Sequence, residues 1–400
     1  MIEFLVSAPD TRKSRAAHRV AAVVMAWFLL EGVVRAETPK PKGSPSNYTQ
    51  EIDRARADAD AGTIAEAKRR LDATQETDRS FEFDYLLTRV KEAPADGGPA
   101  PSLLRKIARP KVESRFGVLN GTNREVVFIC RDGGLRIHDL RSPETPEKTV
   151  AHPGAAPTWT GSFSQDGKRF FSGHQNGEVL VWDVATWEIR QTISLGADWP
   201  VRELAVAPDG SAFVAESKSA LELWSLSGDE PKKVNRVGDR LNFGEGVAYS
   251  PQGDLLATGG MFDIQILDAK TGCSVRSMRH ASYTMGLEFS PDGKRIASAP
   301  RGNVNKFLAV FDVTGENPLF NVGPFGNYIA GMAFTPDGKR IAATGCEKML
   351  RLFHAETGEV VLTFQRPECG AKPAFTHDGR LLGWSEPDGY WYIDLGKLPE

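Results

Sequence analysis

A repeated position in the sequence carries side chains of the types that bind partners. It lies four residues before the first residue of a recurring turn such as Phe289-Ser290-Pro291-Asp292-Gly293, and its occupants are Arg115, Trp159, Arg202, Glu245, Met285, Ala330 and Ala371. Two residues further back stand Phe243, Tyr283 and Tyr328. Trp, Tyr, Arg and Met are enriched in interface cores and binding hot spots. The pattern therefore predicts a partner-binding surface.

The sequence offers little support for catalysis or metal binding. The histidines are His18, His138, His152, His174, His280, His354 and His377, and none has metal-ligand spacing with another His or with Cys. A Gly-x-Ser-x-Gly elbow and a Walker loop are both missing from the sequence. We therefore expect no catalytic residue, no metal and no cofactor. A site assembled from distant loops leaves no local signature, so an enzyme or small-ligand sensor is the alternative.

The element that positions these residues is a repeated turn. Its glycine recurs 40 to 45 residues apart, at Gly167, Gly210, Gly253, Gly293, Gly338 and Gly379. Proline presets one φ angle, Asp caps its own backbone and Gly takes the φ > 0 position. Apolar residues flank each copy, so each turn is predicted to join two strands. A period in the low forties indicates a repeat architecture.

A second motif runs in phase with the turn. About 15 residues after each turn, a short apolar run ends in an aromatic or aliphatic residue that is usually followed by Asp. The aspartates concerned are Asp139, Asp183, Asp268, Asp312 and Asp394. Because they recur at the repeat period, strand ends explain them better than acid–base chemistry. Seven units are predicted between about residue 103 and residue 396.

Together the two motifs resemble the WD-repeat (tryptophan–aspartate repeat) family of β-propellers, of the bacterial exported type. The resemblance implies an all-β, seven-bladed propeller of four-stranded blades. In this family an N-terminal strand completes the last blade, and Leu103 to Ala108 is the candidate strand. Closing the ring in this way removes open sheet edges.

The resemblance also assigns roles to residues. It places the repeated position at the channel mouth on one face, although Phe243, Tyr283 and Tyr328 could instead plug the channel or pack on neighbouring loops. The family's buried His–Ser/Thr–Asp–Trp tetrad is matched best by His152, Ser172, Asn176 and Trp182, which are expected to be structural. His280, Ser298 and Phe311 match it in part. We expect His174 and His377 to be solvated.

The first 36 residues resemble a secretory signal peptide. Arg12, Lys13, Arg15 and Arg19 precede an apolar stretch from Val20 to Leu30, and Ala36 offers a cleavage site. This predicts an extracytoplasmic protein, periplasmic or secreted, with no stable membrane span after cleavage. The alternative is an uncleaved N-terminal anchor.

Between the signal and the propeller the composition changes twice. Residues 37–46 are predicted to be a flexible lead-in, 47–91 a helical segment with a capping box at Thr63 and Glu66, 92–102 a linker, and 103–400 the propeller. The helical segment resembles the one that precedes the propeller in many bacterial WD-repeat proteins. A helical hairpin packed outside the propeller is the expectation, and a separate binding module the alternative.

The net charge and the cysteines limit the possible partners and indicate where a disulfide could form. The formal net charge of −3 lacks the basic excess expected of a nucleic-acid-binding protein. Among the four cysteines, Cys130 is predicted to be buried, and Cys346 and Cys369 lie in loops that could be joined by a disulfide. The sequence thus favours a non-enzymatic scaffold that binds a protein or peptide partner, with its oligomeric state open.

Overall fold

Seven antiparallel sheets of four strands each make up the described chain from residue 104 onward. The computed structural model describes residues 47–73, 86, 104–152, 156–196, 199–216, 220–239, 243–260, 263–280, 284–300, 307–323, 325, 329–346, 348–365 and 371–395. The seven sheets are the blades of a propeller, which confirms the predicted fold.

The first three blades follow one another along the chain, each from its innermost to its outermost strand. Blade 1 contains β2 (Ser114–Leu119), β3 (Glu125–Cys130), β4 (Leu135–Asp139) and β5 (Lys148–Val150). Blade 2 contains β6 (Thr158–Phe163), β7 (Arg169–His174), β8 (Glu178–Asp183) and β9 (Ile189–Ser194). Blade 3 contains β10 (Leu204–Val206), β11 (Ala212–Glu216), β12 (Ala220–Ser225) and β13 (Lys232–Asp239).

The remaining blades repeat this order until the last one. Blade 4 contains β14 (Phe243–Tyr249), β15 (Leu255–Gly260), β16 (Asp263–Asp268) and β17 (Ser274–Arg279). Blade 5 contains β18 (Thr284–Phe289), β19 (Arg295–Pro300), β20 (Leu308–Asp312) and β21 (Pro318–Val322). Blade 6 contains β22 (Ile329–Phe334), β23 (Arg340–Gly345), β24 (Met349–His354) and β25 (Val360–Gln365). Blade 7 contains β26 (Ala371–Phe375), β27 (Leu381–Glu386), β28 (Gly389–Asp394) and β1 (Leu104–Ala108).

The strand β1 closes the ring, as the sequence predicts. It pairs antiparallel with β28, so that Leu104 lies opposite Ile393 and Ile107 opposite Tyr390. The Lys106 ammonium contacts the Asp388 carboxylate at 2.7 Å. On the inner side, β2 of blade 1 contacts β26 of blade 7. Chain segments far apart in sequence therefore share one sheet, and β28 is paired on both sides, with β27 and with β1.

The repeated turn has the chemistry expected from its sequence. Gly293 adopts φ 71° and donates its backbone N–H to the carbonyl of Ser290 at 2.8 Å. The Asp292 carboxylate accepts hydrogen bonds from the Ser290 hydroxyl (2.6 Å) and the Lys294 backbone N–H (3.1 Å). Because β-carbon sterics disfavour φ > 0 for other residues, glycine is the natural choice here. The turn links the innermost strand to the second strand.

The recurrent aspartates end the third strand of their blades. Asp183 Oδ1 accepts hydrogen bonds from the backbone N–H groups of Ala185 (3.0 Å) and Thr186 (3.2 Å), and Asp268 Oδ1 makes equivalent bonds to Lys270 and Thr271. Such Asx-type bonds fix the turn into the fourth strand. The aspartates are thus structural, as the sequence predicts.

Two short helices, α1 (Asn47–Asp60) and α2 (Ile64–Asp72), precede the propeller. Arg70 joins them, because its guanidinium contacts Glu51 at 2.8 Å and Asp58 at 2.7 Å. The predicted capping box is wrong. Thr63 makes no side-chain capping bond and its hydroxyl donates instead to the carbonyl of Asp58 at 2.9 Å. The Asp58 carbonyl, in the last turn of α1, also accepts the Thr63 backbone N–H at 2.9 Å, so the end of α1 holds Thr63 in place of a cap on α2.

Several sequence predictions fall outside the described residues. The signal peptide, the lead-in, the linker and Cys369 are among them. Cys346 is disulfide-bonded, whereas Cys130 is a buried free thiol and Cys273 an exposed one. Burial raises the pKa of Cys130 to about 11, so this thiol stays protonated at neutral pH. Across the described chain, no helix has the length and apolar character to span a bilayer.

Candidate functional site

Several of the predicted partner-binding positions coincide with bulges in the innermost strands, whereas Arg202 lies just before β10, whose pairing is regular. In blade 2, Thr158 pairs with His174 and Thr160 with Gly173, so Trp159 is the extra residue on β6. Met285 occupies the same place on β18, and Ala330 on β22. In blade 1 the shift lies between Ser114 and Gly117, next to Arg115. A bulge redirects a side chain out of the regular alternation of a strand.

Three of the predicted residues come together across neighbouring blades. The Arg115 guanidinium carbon lies 3.4 Å from the centroid of the Trp159 ring, and that of Arg202 lies 5.1 Å from the same centroid. Arg202 is exposed, whereas Arg115 and Trp159 are half-buried. We call Arg115, Trp159 and Arg202 the arginine–tryptophan cluster. Its cation–π contacts link blades 1, 2 and the lead into blade 3.

Arg109 fixes the backbone from which Arg115 projects. Its guanidinium donates to the carbonyl of Arg115 at 2.8 Å and to the hydroxyl of Ser114 at 2.9 Å. A further bond, at 2.7 Å, reaches the carbonyl of Pro387 in blade 7. Because Arg109 directly follows β1, the strand that closes the ring also holds the blade 1 bulge in place.

His174 fixes the backbone around the other two cluster residues. Its Nδ1 lies 2.8 Å from the carbonyl of Ala156, which leads into β6, and its own carbonyl accepts the backbone N–H of Val201 at 3.0 Å. On the interior side, Nε2 lies 2.9 Å from the Ser172 hydroxyl, which accepts the Trp182 indole N–H at 2.8 Å. Burial lowers the pKa of His174 and favours the neutral ring, with Nδ1–H as the donor.

The predicted tetrad is therefore partly wrong. Ser172 and Trp182 are hydrogen-bonded as expected, but the histidine in the network is His174, which is 1% exposed rather than solvated. His152 instead contacts the Trp182 ring edge-on at 6.2 Å between centroids. Asn176 donates to Glu178 at 2.6 Å on the surface.

Blade 5 keeps the partial match that the sequence indicates. His280 Nε2 lies 3.0 Å from the Ser298 hydroxyl, and the His280 ring is 6.1 Å from the Phe311 ring. His174, in contrast, ends the second strand of blade 2, where the family pattern places no histidine. The departure from that pattern explains why sequence reasoning missed it.

Sequence reasoning also missed Trp199, which extends the cluster on the side of blade 3. The guanidinium carbon of Arg202 lies 5.2 Å from the Trp199 ring centroid, and the Trp199 indole N–H donates to Glu216 at 3.4 Å. Trp199 stands in the loop before β10, three residues before Arg202. An aromatic residue beside a Pro in a loop was the available signal.

A second cation lies near the cluster. Lys372 of β26 places its ammonium 3.9 Å from the Phe116 ring centroid and interacts electrostatically with Glu203. Lys372 and Phe116 lie in the innermost strands of blades 7 and 1, and Glu203 directly precedes the innermost strand of blade 3. Loss of water around the ammonium lowers the pKa of Lys372, although the residue as a whole retains accessible surface. In this repeat the predicted partner-binding position is Ala371, the residue directly before Lys372.

The other predicted binding residues cannot be assigned to the site. Phe243 and Glu245 lie in β14 and Met285 in β18, but their side chains are outside the described part of the chain. Tyr283 and Tyr328 fall outside the described residues altogether. Their predicted roles stay predictions.

The cluster carries two positive charges, on Arg115 and Arg202. Burial, followed by the nearby positive charges of Arg131 and Arg202, lowers the pKa of Arg115, while Glu113 opposes this change. Glu113 itself contacts Arg131 at 3.0 Å. No group of three or more His, Cys, Asp or Glu side chains suited to a metal ion occurs among the described residues. The site is therefore a cationic and aromatic surface.

Comparisons with known proteins agree with the fold. Residues 145–183, from β5 to the end of β8, match the family model "WD domain, G-beta repeat". Among solved structures, the β-propeller domain of Myceliophteria thermophila Cps50 (Swd1) superposes with a TM-score of 0.61 at 16% identity, covering 72% of this chain and 98% of that one. A chain of the Mitotic Checkpoint Complex gives the same score, identity and coverage of this chain, and is itself covered to 91%.

Curated relatives are similar over less than half of the chain. Protein HIR1 of Kluyveromyces lactis is 26% identical over 44% of this chain and 24% of its own length. The human U3 small nucleolar RNA-associated protein 4 homolog is 23% identical over 46% of this chain and 28% of its own. The chain thus spans about a quarter of these relatives. With the seven blades, the matches support a WD-repeat β-propeller.

Proposed function

We propose that this protein is a non-enzymatic scaffold that binds a protein or peptide partner through the arginine–tryptophan cluster. The observation that carries the proposal is the meeting of Arg115, Trp159 and Arg202 across neighbouring blades. Trp and Arg are the residue types that dominate binding hot spots. A closed ring of blades holds them on a rigid support, so little ordering is required on binding.

The similar proteins also support a role in binding a protein partner. One similar chain is part of a solved structure named Mitotic Checkpoint Complex, so a propeller of this fold occurs in an assembly of proteins. The alternative, an enzyme or small-ligand sensor at the channel mouth, stays a prediction that no described feature favours. That the partner is not a nucleic acid also stays a prediction, based on the net charge of −3.

Co-purification tests the proposal. We compare the wild-type chain with a variant that combines Trp159→Ala and Arg202→Ala, and with an Arg190→Gln control on the outer strand β9. We expect the wild type and the control to retain the same protein and the cluster variant to lose it, with unchanged circular dichroism. Equal retention by all three would place binding elsewhere, and the helical segment would be tested next.

We also propose an extracytoplasmic location. The pattern of residues 1–36 supports export, and the disulfide at Cys346 suits an oxidising compartment. The eukaryotic relatives give no support to a bacterial or exported origin. N-terminal sequencing of chain purified from its native cells tests the proposal. A mature terminus at Glu37 would agree with cleavage. A terminus within residues 1–10 would contradict cleavage and favour the uncleaved anchor.

A further inference from the structure

The arginine–tryptophan cluster contains positive charge that its own surroundings do not neutralise. Arg131 is paired with Glu113. For Arg115 and Arg202, the described part of the chain contains no carboxylate within ion-pairing distance. The two guanidiniums also repel each other. Like charges held on one indole are costly unless a counter-charge arrives from outside.

Two donors in the cluster lack acceptors. Arg115 Nε and Trp159 Nε1 are each buried without a hydrogen-bond partner in the part of the chain that the structure describes. A buried donor without an acceptor costs free energy, and such groups are rare. Both donors belong to the Arg115–Trp159 pair, so this pair has hydrogen-bonding capacity that the described part of the chain does not use.

The nearby carboxylates of Glu216 and Glu203 already interact with other side chains. Glu216 accepts the Trp199 indole N–H, and Glu203 faces Lys372. They flank the cluster, and they would repel a ligand that carries charge along its whole length. The chain as a whole is also negative, with a formal net charge of −3. A polyanion such as nucleic acid is therefore disfavoured.

We infer that the partner carries an acidic segment, and that one of its Asp or Glu carboxylates binds between Arg115 and Arg202 beside the Trp159 ring. The inference rests on the proposed function, because it names the partner chemistry of the same site. A planar carboxylate matches the forked donors of a guanidinium and can accept two hydrogen bonds from it. Arg202 is exposed, so its guanidinium N–H groups are available for this contact.

Peptide display on the immobilised full-length chain tests the inference. Random 12-residue peptides are selected on the wild type and counter-selected on Trp159→Ala. We expect enriched peptides to share an Asp or Glu at a fixed position. Changing that residue to Asn or Gln, or changing Arg202→Gln, should each weaken binding about tenfold or more, which is about 1.4 kcal/mol. The Arg190→Gln control should bind like the wild type.

The outcomes separate the inference from the proposed function. Cluster-dependent peptides without a conserved acidic residue would overturn the inference and leave the docking site standing. Enrichment of no cluster-dependent peptide would overturn both. A phosphoserine version of the selected peptide and a single-stranded oligonucleotide are measured by fluorescence anisotropy. Tighter Arg202-dependent binding of either one than of the carboxylate peptide would assign the site to phosphate instead.

Discussion

The guanidinium carbon of Arg115 in blade 1 lies 3.4 Å from the ring centroid of Trp159 in blade 2. Each residue sits at a bulge in the innermost strand of its own blade. The contact thus joins two sheets that share no hydrogen-bonded ladder. It links neighbouring blades and belongs to the proposed docking surface, and its energy can be measured without any partner.

A double-mutant cycle measures that energy. We expect Arg115→Ala and Trp159→Ala to be coupled by about 1–2 kcal/mol in the free energy of unfolding, because a partly desolvated cation–π pair is stronger than an exposed one. Urea unfolding of the wild type, both single variants and the double variant supplies the four values. Additive effects within about 0.3 kcal/mol would show that the stacked geometry contributes no energy.

His174 gives the free energy of unfolding a specific pH dependence. Its pKa is lowered in the folded state, so the unfolded chain takes up a proton that the folded chain resists. The stabilisation is complete above the unfolded pKa of about 6.5 and is lost as pH falls below it. We expect His174→Gln to be about 1–3 kcal/mol less stable than wild type at pH 7.5 and to lose less stability on acidification.

Urea unfolding at about pH 7.5 and about pH 5.5 checks this dependence. His377→Gln is the matched control, since His377 is exposed and its ring Nδ1 lies 3.4 Å from the Thr122 hydroxyl. The control should keep the wild-type pH dependence. If His174→Gln keeps it as well, the buried network does not carry the titration.

The sequence predicts the fold well because the fold is repeated. Each turn with Asp and Gly and each strand ending in Asp is a local signal, and the copies reinforce one another. The same regularity located Arg115, Trp159 and Arg202, because equivalent positions in the repeats lie in or directly before the innermost strands; Arg115 and Trp159 lie at bulges, and Arg202 precedes β10. Strand β1 followed from the need of the seventh blade for a fourth strand.

The residues whose roles the sequence did not predict are ones whose positions the repeat does not determine. His174 belongs to one blade only, and its partners Ala156 and Val201 hydrogen-bond to it from segments outside the strands. Trp199 stands in the loop before β10, and Lys372 reaches Phe116 across a blade boundary. Such contacts depend on how neighbouring blades approach each other, which no local pattern encodes.

Closure by β1 should control thermal stability. Deleting residues 103–109 removes the pairing with β28, the buried Ile107 side chain and the Arg109 clamp on Arg115. We expect a loss of about 5 kcal/mol and a thermal midpoint about 10 °C lower or more. An equally long deletion within residues 37–46 is the control. An unchanged midpoint in the 103–109 deletion would contradict the closure role.

A second contact between blades 7 and 1 should be lost on acidification, and its loss should destabilise the closed ring. Asp378 of blade 7 contacts Arg124 of blade 1 at 2.5 Å. Burial alone would raise its pKa, but hydrogen bonds from Thr376, Arg380 and Arg124 lower the pKa to about 2. Its stabilisation is therefore present above about pH 3.9 and lost as pH falls toward 2. We expect Asp378→Asn to raise the pH midpoint of acid unfolding.

Comparison with Arg124→Gln separates the contributions to this effect. The variant removes one of the three partners and leaves the Thr376 and Arg380 bonds, so it should raise the midpoint less than Asp378→Asn does. Circular dichroism during acid titration gives both values. Midpoints equal to that of the wild type in both variants would show that this contact does not stabilise the closed ring.

Site-specific photo-crosslinking tests the docking surface most directly. A benzoylphenylalanine in place of Glu113, whose side chain is 65% exposed beside the arginine–tryptophan cluster, is compared with one in place of Arg190, 60% exposed on β9. Irradiation in native cells should yield one discrete protein adduct from position 113, absent at position 190 and lost when Trp159→Ala is added. The same adduct from both positions, or its persistence in the Trp159→Ala background, would contradict docking at the cluster.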